Sequence, residues 1–272
     1  MEEDNVSRVG WNAISKSFQD RYQIEVSPIV YSPFGPTEDE LNLLGEKRGK
    51  RIIDIGAGGC QKAIYLAKQG ALVTAYDISE RQLEHGKRLA LEHNASLDFV
   101  RGDFQSLGSN FKENSFDIAY SIFALQYSRN AEVLEKTFSE VNKVLKNNGI
   151  FVFSLDHPFR SIGFWDLERD KYIIDNYFDR SEHQWDYSFP EQNTSGRFVG
   201  ACWTLSDMVT RFIRSGFRLD GLLEPEPLKR ERHHDLFGAN SKYGVNNRQD
   251  PFNFENLKRI PGTIVIKGVK ER

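Results

Sequence analysis

The hydrophobic positions of this chain switch repeatedly between short unbroken runs and a spacing near 3.6, and the switches mark its elements. Two adjacent isoleucines in Arg51–Ile55 make the kind of apolar run carried by a strand buried on both faces. After a glycine-rich turn, Ala63, Ile64, Leu66 and Ala67 share one side of a helix, and Gly70 ends it where a left-handed cap favours glycine. Residues 72–76 read as the second strand, with Asp77 just past its carboxyl end. Ser79 and Gln82 form a capping-box pattern for a helix to about His93, with Leu83, Leu89 and Ala90 inward. Residues 97–100, 116–121 and 150–153 read as the third, fourth and fifth strands. Between the last two, Val133, Leu134, Phe138, Val141, Val144 and Leu145 keep helical period over residues 130–147, up to Asn148-Gly149.

The flanks carry different patterns. Trp11, Ile14, Phe18 and Tyr22 fall at spacings of three and four, an aromatic stripe on one face of a helix over residues 6–24. A loop punctuated by proline and glycine follows over residues 30–36. Thr37 and Glu40 then open a helix bearing Leu41, Leu43 and Leu44. Past the fifth strand, residues 159–203 include 11 aromatics, about twice the share of the whole chain at 12%. Patchy alternation over residues 177–189 suits antiparallel strands, and Thr194-Ser-Gly196 reads as a turn. Thr204 caps a further helix with Met208, Val209, Phe212 and Ile213 inward and Gly216 at its end, before strands at residues 217–223 and 263–267. Residues 229–259 are polar and loop-like.

Composition narrows the function classes. A length of 272 residues suits one large α/β domain or one domain with a substantial insertion, and 39% hydrophobic with 28% charged residues is ordinary for a soluble globular protein. A net charge of −3 argues against nucleic acid as the main partner. Cys60 and Cys202 are far apart and form no metal-ligand pair, so no metal is expected. Neither a signal-like segment nor an apolar run of membrane length is present, which points to a cytoplasmic protein with no membrane partner. A homodimer is left open.

The chemistry centres on the turn after the first strand. A dinucleotide fingerprint requires glycine at its first, third and sixth positions, which here are Gly56, Gly58 and Gln61, so the sixth fails. Asp54 followed by Gly56 and Gly58 resembles instead the first motif of class I S-adenosylmethionine-dependent methyltransferases. The fourth position, usually glycine in that family, is Cys60, with Gly59 one place early. The resemblance spans roughly residues 49–153 plus the closing helix and strands. It implies an α/β fold: a Rossmann-like doubly wound sheet with a C-terminal antiparallel strand, plus an aromatic-rich insertion as a lid after the fifth strand. The corresponding division is a helical cap at 1–48, a core at 49–158 and 204–272, and a lid at 159–203.

It also implies S-adenosyl-L-methionine as cofactor. The turn with Asp54, Gly56, Ala57, Gly58 and Gln61 would carry the methionine part. Asp77, with Ile78 and Gln82 beside it, would take the two ribose hydroxyls; a carboxylate suits a vicinal diol because it can accept two hydrogen bonds side by side. Gly102, Asp103 and Phe104 would hold the adenine, the carboxylate on the amino group and the phenyl against the ring. Ser121 and Phe123 begin the segment where the transferred methyl would sit. That segment lacks the Asn/Asp-Pro-Pro-Tyr tetrapeptide of DNA and protein amide methyltransferases and resembles the branch that acts on small metabolites.

Candidate substrate contacts are Trp11, Phe18, Tyr22, Tyr31, Phe34, Tyr127, His157, Phe164 and Trp165, each with core packing as its plain alternative. His157 titrates near neutrality and is the candidate base for a substrate hydroxyl or amine, against a structural role. The expected function is methyl transfer to a small acceptor at O or N. The rivals are another use of the same cofactor such as ring closure, a nicotinamide-dependent oxidoreductase, and a non-catalytic binding protein.

Overall fold

The computed structural model describes residues 6–166, 168–228 and 254–271. Two helices precede the sheet, α1 (Val6–Tyr22) and the one-turn α2 (Glu38–Leu41). The alternation then runs β1 (Arg51–Ile55), α3 (Gln61–Lys68), β2 (Leu72–Asp77), α4 (Glu80–Glu92), β3 (Asp98–Arg101), the short α5 (Leu107–Asn110), β4 (Phe116–Ile122), α6 (Ala131–Val144) and β5 (Leu145–Asp156). A one-turn α7 (Pro158–Ser161) leads into two hairpins, β6 (Gly163–Asp166) with β7 (Lys171–Ile174) and β8 (Glu182–Phe189) with β9 (Thr194–Ala201). The chain returns through α8 (Leu205–Arg214), β10 (Phe217–Leu223), α9 (Phe254–Leu257) and β11 (Thr263–Lys270).

Seven strands form one sheet in the order β10-β11-β5-β4-β1-β2-β3. β1 to β5 are parallel, whereas β11 runs antiparallel to both β5 and β10. Strand order reverses between β1 and β4, and in such a sheet the crevice for a ligand opens outside the carboxyl ends at the reversal. The isoleucines explain why β1 is central: Ile53 and Ile55 pack into the core on one face, Ile52 into the core on the other. On the first face α6 and α8 bring Phe138 and Phe212 against Phe151, Phe153 and Phe217, with Phe212 and Phe217 stacked at 4.5 Å. On the second, Ile64 and Leu66 of α3 and Leu83 of α4 cover Val73 and Tyr120.

Four details differ from the sequence pattern. Helix α6 stops at Val144, not residue 147, because Leu145 pairs with Phe116 across the sheet and Asn148 turns the chain with a φ of 62°. Ile213 is 49% exposed, on the outer side of α8. The turn expected at residues 194–196 lies at 190–193, where Asn193 takes a φ of 51°. Gly196 is a glycine for another reason: a Cβ there would stand 2.6 Å from the carbonyl oxygen of Gly10, so it lets α1 lie flush on β9. Of the polar segment at 229–259, residues 229–253 lie outside the described residues, and α9 follows.

Phe212 is fully buried and touches three other phenyl rings of this core at 5.3–6.0 Å besides its stack on Phe217. Phe212→Ala is expected to cost about 3–5 kcal/mol of unfolding free energy, the range for truncating a packed phenylalanine, read from the midpoint of urea denaturation.

Candidate active site

One cavity of about 1200 Å³ opens at the carboxyl ends of β1, β2, β4 and β5, roofed by α1 and by the β8–β9 hairpin. That exceeds the roughly 300–1,000 Å³ of a pocket for one small ligand, so two reactants fit side by side.

The glycine turn shapes one end. Gly56 has a φ of 77°, and a Cβ there would overlap the methyl of Ala124, so only glycine allows β1 to pass this close to the segment after β4. The amides of Gly56 and Ala57 donate to the Tyr76 carbonyl at 2.8 and 3.2 Å. Gly58, φ 52°, faces open space where its Cβ would be, and donates its N–H to Asp77 Oδ2 at 2.8 Å. Asp77 Oδ1 accepts from the Ser79 amide at 2.8 Å. Cys60 begins α3 in the left-handed region at 64°, a conformation in which glycine costs less. Its sulfur is accommodated by α4, where a Cβ on Gly86 would overlap it.

Two of the carboxyls at this end are strongly shifted. Burial pushes Asp54 up to about 7, with the charge of Asp77 adding to the effect. Burial also pushes Asp77 up to about 6, against the hydrogen bonds from the Ser79, Gly58 and Ile78 amides. Asp103 caps the turn after β3 by accepting from the Gln105 amide at 2.9 Å, and its carbonyl accepts from the Tyr76 hydroxyl at 2.8 Å. Gly102 is obligatory beside it, since a Cβ would overlap that same Tyr76 hydroxyl.

Aromatic rings build the other end. Trp11 and Phe18 of α1 meet edge-on at 5.2 Å, Trp11 also meets Phe198 at 5.2 Å, and Tyr127 stacks on Trp185 at 5.7 Å. Asp156, at the end of β5, lines this end with Arg160 of α7, and the two form an ion pair. Burial raises the Asp156 carboxyl, opposed by the Arg160 charge.

Three buried glutamines fasten α1 over the turn. Gln61 Nε2 donates to Gln19 Oε1 at 2.7 Å, and Gln19 Nε2 donates to Gln82 Oε1 at 2.9 Å. Gln82 is thereby drawn away from closing the capping box expected with Ser79, whose hydroxyl still accepts from the Gln82 amide at 3.2 Å. Gly59 leaves the space these amides occupy, as a Cβ would lie 2.6 Å from Gln19 Nε2 and 2.7 Å from Gln61 Nε2.

The cavity wall gathers Asp54, Gly56, Ala57, Gly58, Gln61, Asp77, Ile78, Gln82, Gly102, Asp103, Phe104 and Phe123 from the expected cofactor set. Phe123 adopts a left-handed φ of 53°, a strained backbone at the cavity edge. Ser121 lies outside the wall: it is fully buried and donates to the Ile55 carbonyl at 2.8 Å, stitching β4 to β1. Of the expected substrate contacts, Trp11, Phe18 and Tyr127 line the cavity.

The others do not. Tyr22 sits behind the wall, its hydroxyl on that of Tyr187. Tyr31 is core, donating at 2.7 Å to the Glu38 carboxylate, and Phe34 packs on Phe254 at 5.5 Å. Phe164 is 58% exposed on the β6–β7 hairpin, and Trp165 lies against Tyr172 and under the Arg259 guanidinium at 4.6 Å. His157 is also off the wall. Its Nε2 is held by Glu224 at 2.9 Å and its Nδ1 accepts from the Phe159 amide at 3.2 Å, so both nitrogens are spent on tying β5 to the chain beyond β10. It is absent from the cavity wall that its neighbour Asp156 lines: β5 ends at Asp156, and His157 caps the start of α7.

Gln19, Asp156, Arg160, Trp185 and Phe198 escaped the sequence reading. Only Asp156 left a signal, an acid at the end of the fifth strand like Asp54 and Asp77 at the ends of β1 and β2.

The seven-stranded sheet with this order and one antiparallel strand has the fold seen in a Listeria monocytogenes protein named as an S-adenosylmethionine-dependent methyltransferase, which superposes with a TM-score of 0.65 at 20% identity over 86% of this chain and 96% of that one. Residues 53–153 match the family described as "Methyltransferase domain". A protein of Geobacillus sp. (strain WCH70) named as a methyltransferase is 31% identical over 135 residues, 47% of this chain and 53% of its own length. A sterol 24-C-methyltransferase of Gibberella zeae is 35% identical over 111 residues, 40% of this chain and 28% of its own length. The chain therefore spans about half the length, or less, of these curated relatives. A crystal structure of an S-adenosylmethionine-dependent methyltransferase from Mesorhizobium loti superposes with a TM-score of 0.63 at 24% identity, covering 85% of this chain and 95% of that one. Among the described residues no helix is long and apolar enough to cross a membrane, and no group of three or more His, Cys, Asp or Glu could hold a metal.

Gln19→Ala leaves Gln61 and Gln82 each short of a partner in a buried site. A loss of about 1–3 kcal/mol is expected in thermal or urea denaturation, with faster protease cleavage within α1.

Proposed function

We propose that this chain transfers the methyl group of S-adenosyl-L-methionine to a small-molecule acceptor. The observation that carries the reading is a single cavity whose glycine-turn end and aromatic end are continuous. The residues of the first end fit the cofactor: Gly58 leaves open space beside its backbone, three strand-end carboxylates face the cavity, and Gly56 and Gly102 exclude side chains where backbone must stay close. Asp77 would take the ribose, Asp103 and Phe104 the adenine, and the turn the methionine part. When bound, the cofactor supplies a methyl already made electrophilic by a sulfonium.

The chain's own work is then alignment and exclusion of water. Holding two reactants in attacking geometry can lower a barrier by about 7–11 kcal/mol, more than the roughly 3–5 kcal/mol typical of a general base. The aromatic walls carry few rotatable bonds and hold an apolar body at little entropic cost. In this reading α1 and the β8–β9 hairpin, whose residues line the cavity, act as its cover. His157, engaged at both nitrogens and off the cavity wall, is given no proton-transfer role in this reading.

Titration with S-adenosylhomocysteine tests the cofactor end, and a product heavier than the acceptor by one methyl group tests the reaction. A rearranged cofactor or acceptor of unchanged mass would favour ring closure instead, and a thermal shift with NAD but none with S-adenosylhomocysteine would favour an oxidoreductase. Asp77→Ala is expected to weaken S-adenosylhomocysteine by roughly ten- to hundredfold in calorimetry, the value of hydrogen bonds to a charged acceptor. The pH dependence has a definite sign. Because burial raises Asp77 to about 6, its contribution to the stability of the unliganded fold is present at low pH and lost as pH rises through that value. Cofactor binding runs the other way, needing the ionised carboxylate, so S-adenosylhomocysteine affinity should fall as pH drops below about 6.

A further inference from the structure

The aromatic end of the cavity carries the Asp156–Arg160 ion pair, and its asymmetry bears on the chemistry of the acceptor. Arg160 gives Nη1 to Asp156 Oδ1, and the guanidinium is the more enclosed partner, its side chain 10% exposed against 27% for the carboxylate. The arginine thus steadies the acid, and the second carboxylate oxygen stays available to a ligand. The remaining cations on the wall are engaged elsewhere: Lys62 Nζ donates to Ser27 Oγ at 2.8 Å, and Arg129 pairs with Glu182 at 3.1 Å. Acids outnumber them, with Asp54, Asp77, Asp103 and Asp156 all on the same wall.

An ionised carboxylate only accepts hydrogen bonds, so the ligand group beside Asp156 must donate one. The faces of tryptophan and tyrosine attract positive charge through their quadrupoles, and Trp11, Tyr127 and Trp185 share this end of the cavity, although Tyr127 and Trp185 stack on each other and His183 stacks on Trp185 at 5.2 Å. A neutral hydroxyl satisfies the first requirement alone. An anion satisfies neither, and it would meet the Asp156 carboxylate that the Arg160 Nη1 already pairs. A protonated amine satisfies both.

We propose that Asp156 anchors a cationic amine on an acceptor whose flat apolar body lies among Trp11, Tyr127 and Trp185. The inference rests on the methyltransferase reading for the word acceptor, but the binding site is defined by this chain's own residues. Asp156 is an anchor, and the atom that is methylated need not be the amine nitrogen.

The test uses the whole chain and three probes of one shape, 2-phenylethylamine, 2-phenylethanol and phenylacetate, titrated by calorimetry and by tryptophan fluorescence with and without saturating S-adenosylhomocysteine. The amine is expected to bind about tenfold or more tightly than either other probe, a margin set by a charge-assisted hydrogen bond with ring-face attraction. In Asp156→Asn that margin should vanish while S-adenosylhomocysteine affinity stays at the wild-type value. If Asp156→Asn fails to fold, Trp185→Leu serves in its place and should cut amine binding more than alcohol binding. Amine binding no tighter than phenylacetate in the wild type, or a margin that survives both substitutions, overturns the proposal. Loss of S-adenosylhomocysteine binding in the wild type would instead overturn the cofactor reading, and the amine series without it would still judge the anchor.

Discussion

A single carboxylate holds the site together. Asp77 leaves the end of β2 and spends one oxygen on the Gly58 amide of the preceding turn and the other on the Ser79 amide that opens α4. Two crossovers of the sheet are thereby pinned to each other at the strand-order reversal. The acid is 8% exposed, and its burial raises its pKa to about 6, so the fold keeps a costly group where apolar packing alone would be cheaper. Such a cost is characteristic of sites that must meet a polar ligand.

The roof depends on backbone proximity. Gly10 and Gly196 bring α1 against β9 with no side chain between them, and this closeness lets Trp11 reach Phe198 and Tyr127. The glutamine chain then joins the same helix to α3 and α4, so the wall of the aromatic end and the wall of the glycine-turn end share one rigid element. The two halves of the cavity cannot move independently while α1 is seated.

The sheet was legible in the sequence because each strand and helix announces its own period. Ile52 and Ile53 are apolar back to back only because both faces of β1 are covered, and α6 repeats near 3.6 because one side of it lies on Phe151 and Phe153. The glycine-turn end of the cavity was legible for a related reason: its groups are backbone amides and acids at strand ends, fixed by local geometry. The aromatic end was not. Its rings come from α1, the segment after β4 and a hairpin of the insertion, and no local period tells Trp185, which faces the cavity, from Trp165, which lies under Arg259. The surroundings of His157 were not legible because it caps α7 just past the end of β5, and its partner Glu224 is 67 residues away.

Cys60 and Gly86 illustrate how an apparent defect can be one half of a matched pair. The sulfur at the start of α3 fills the space that a missing side chain on α4 vacates. The two positions are 26 apart in sequence, yet neither is free to vary alone: a larger residue at 86 meets the sulfur, and a glycine at 60 opens a void beneath α4. The start of α3 and the middle of α4 are thus sterically coupled, and a bulkier residue at one has to be matched by a smaller one at the other.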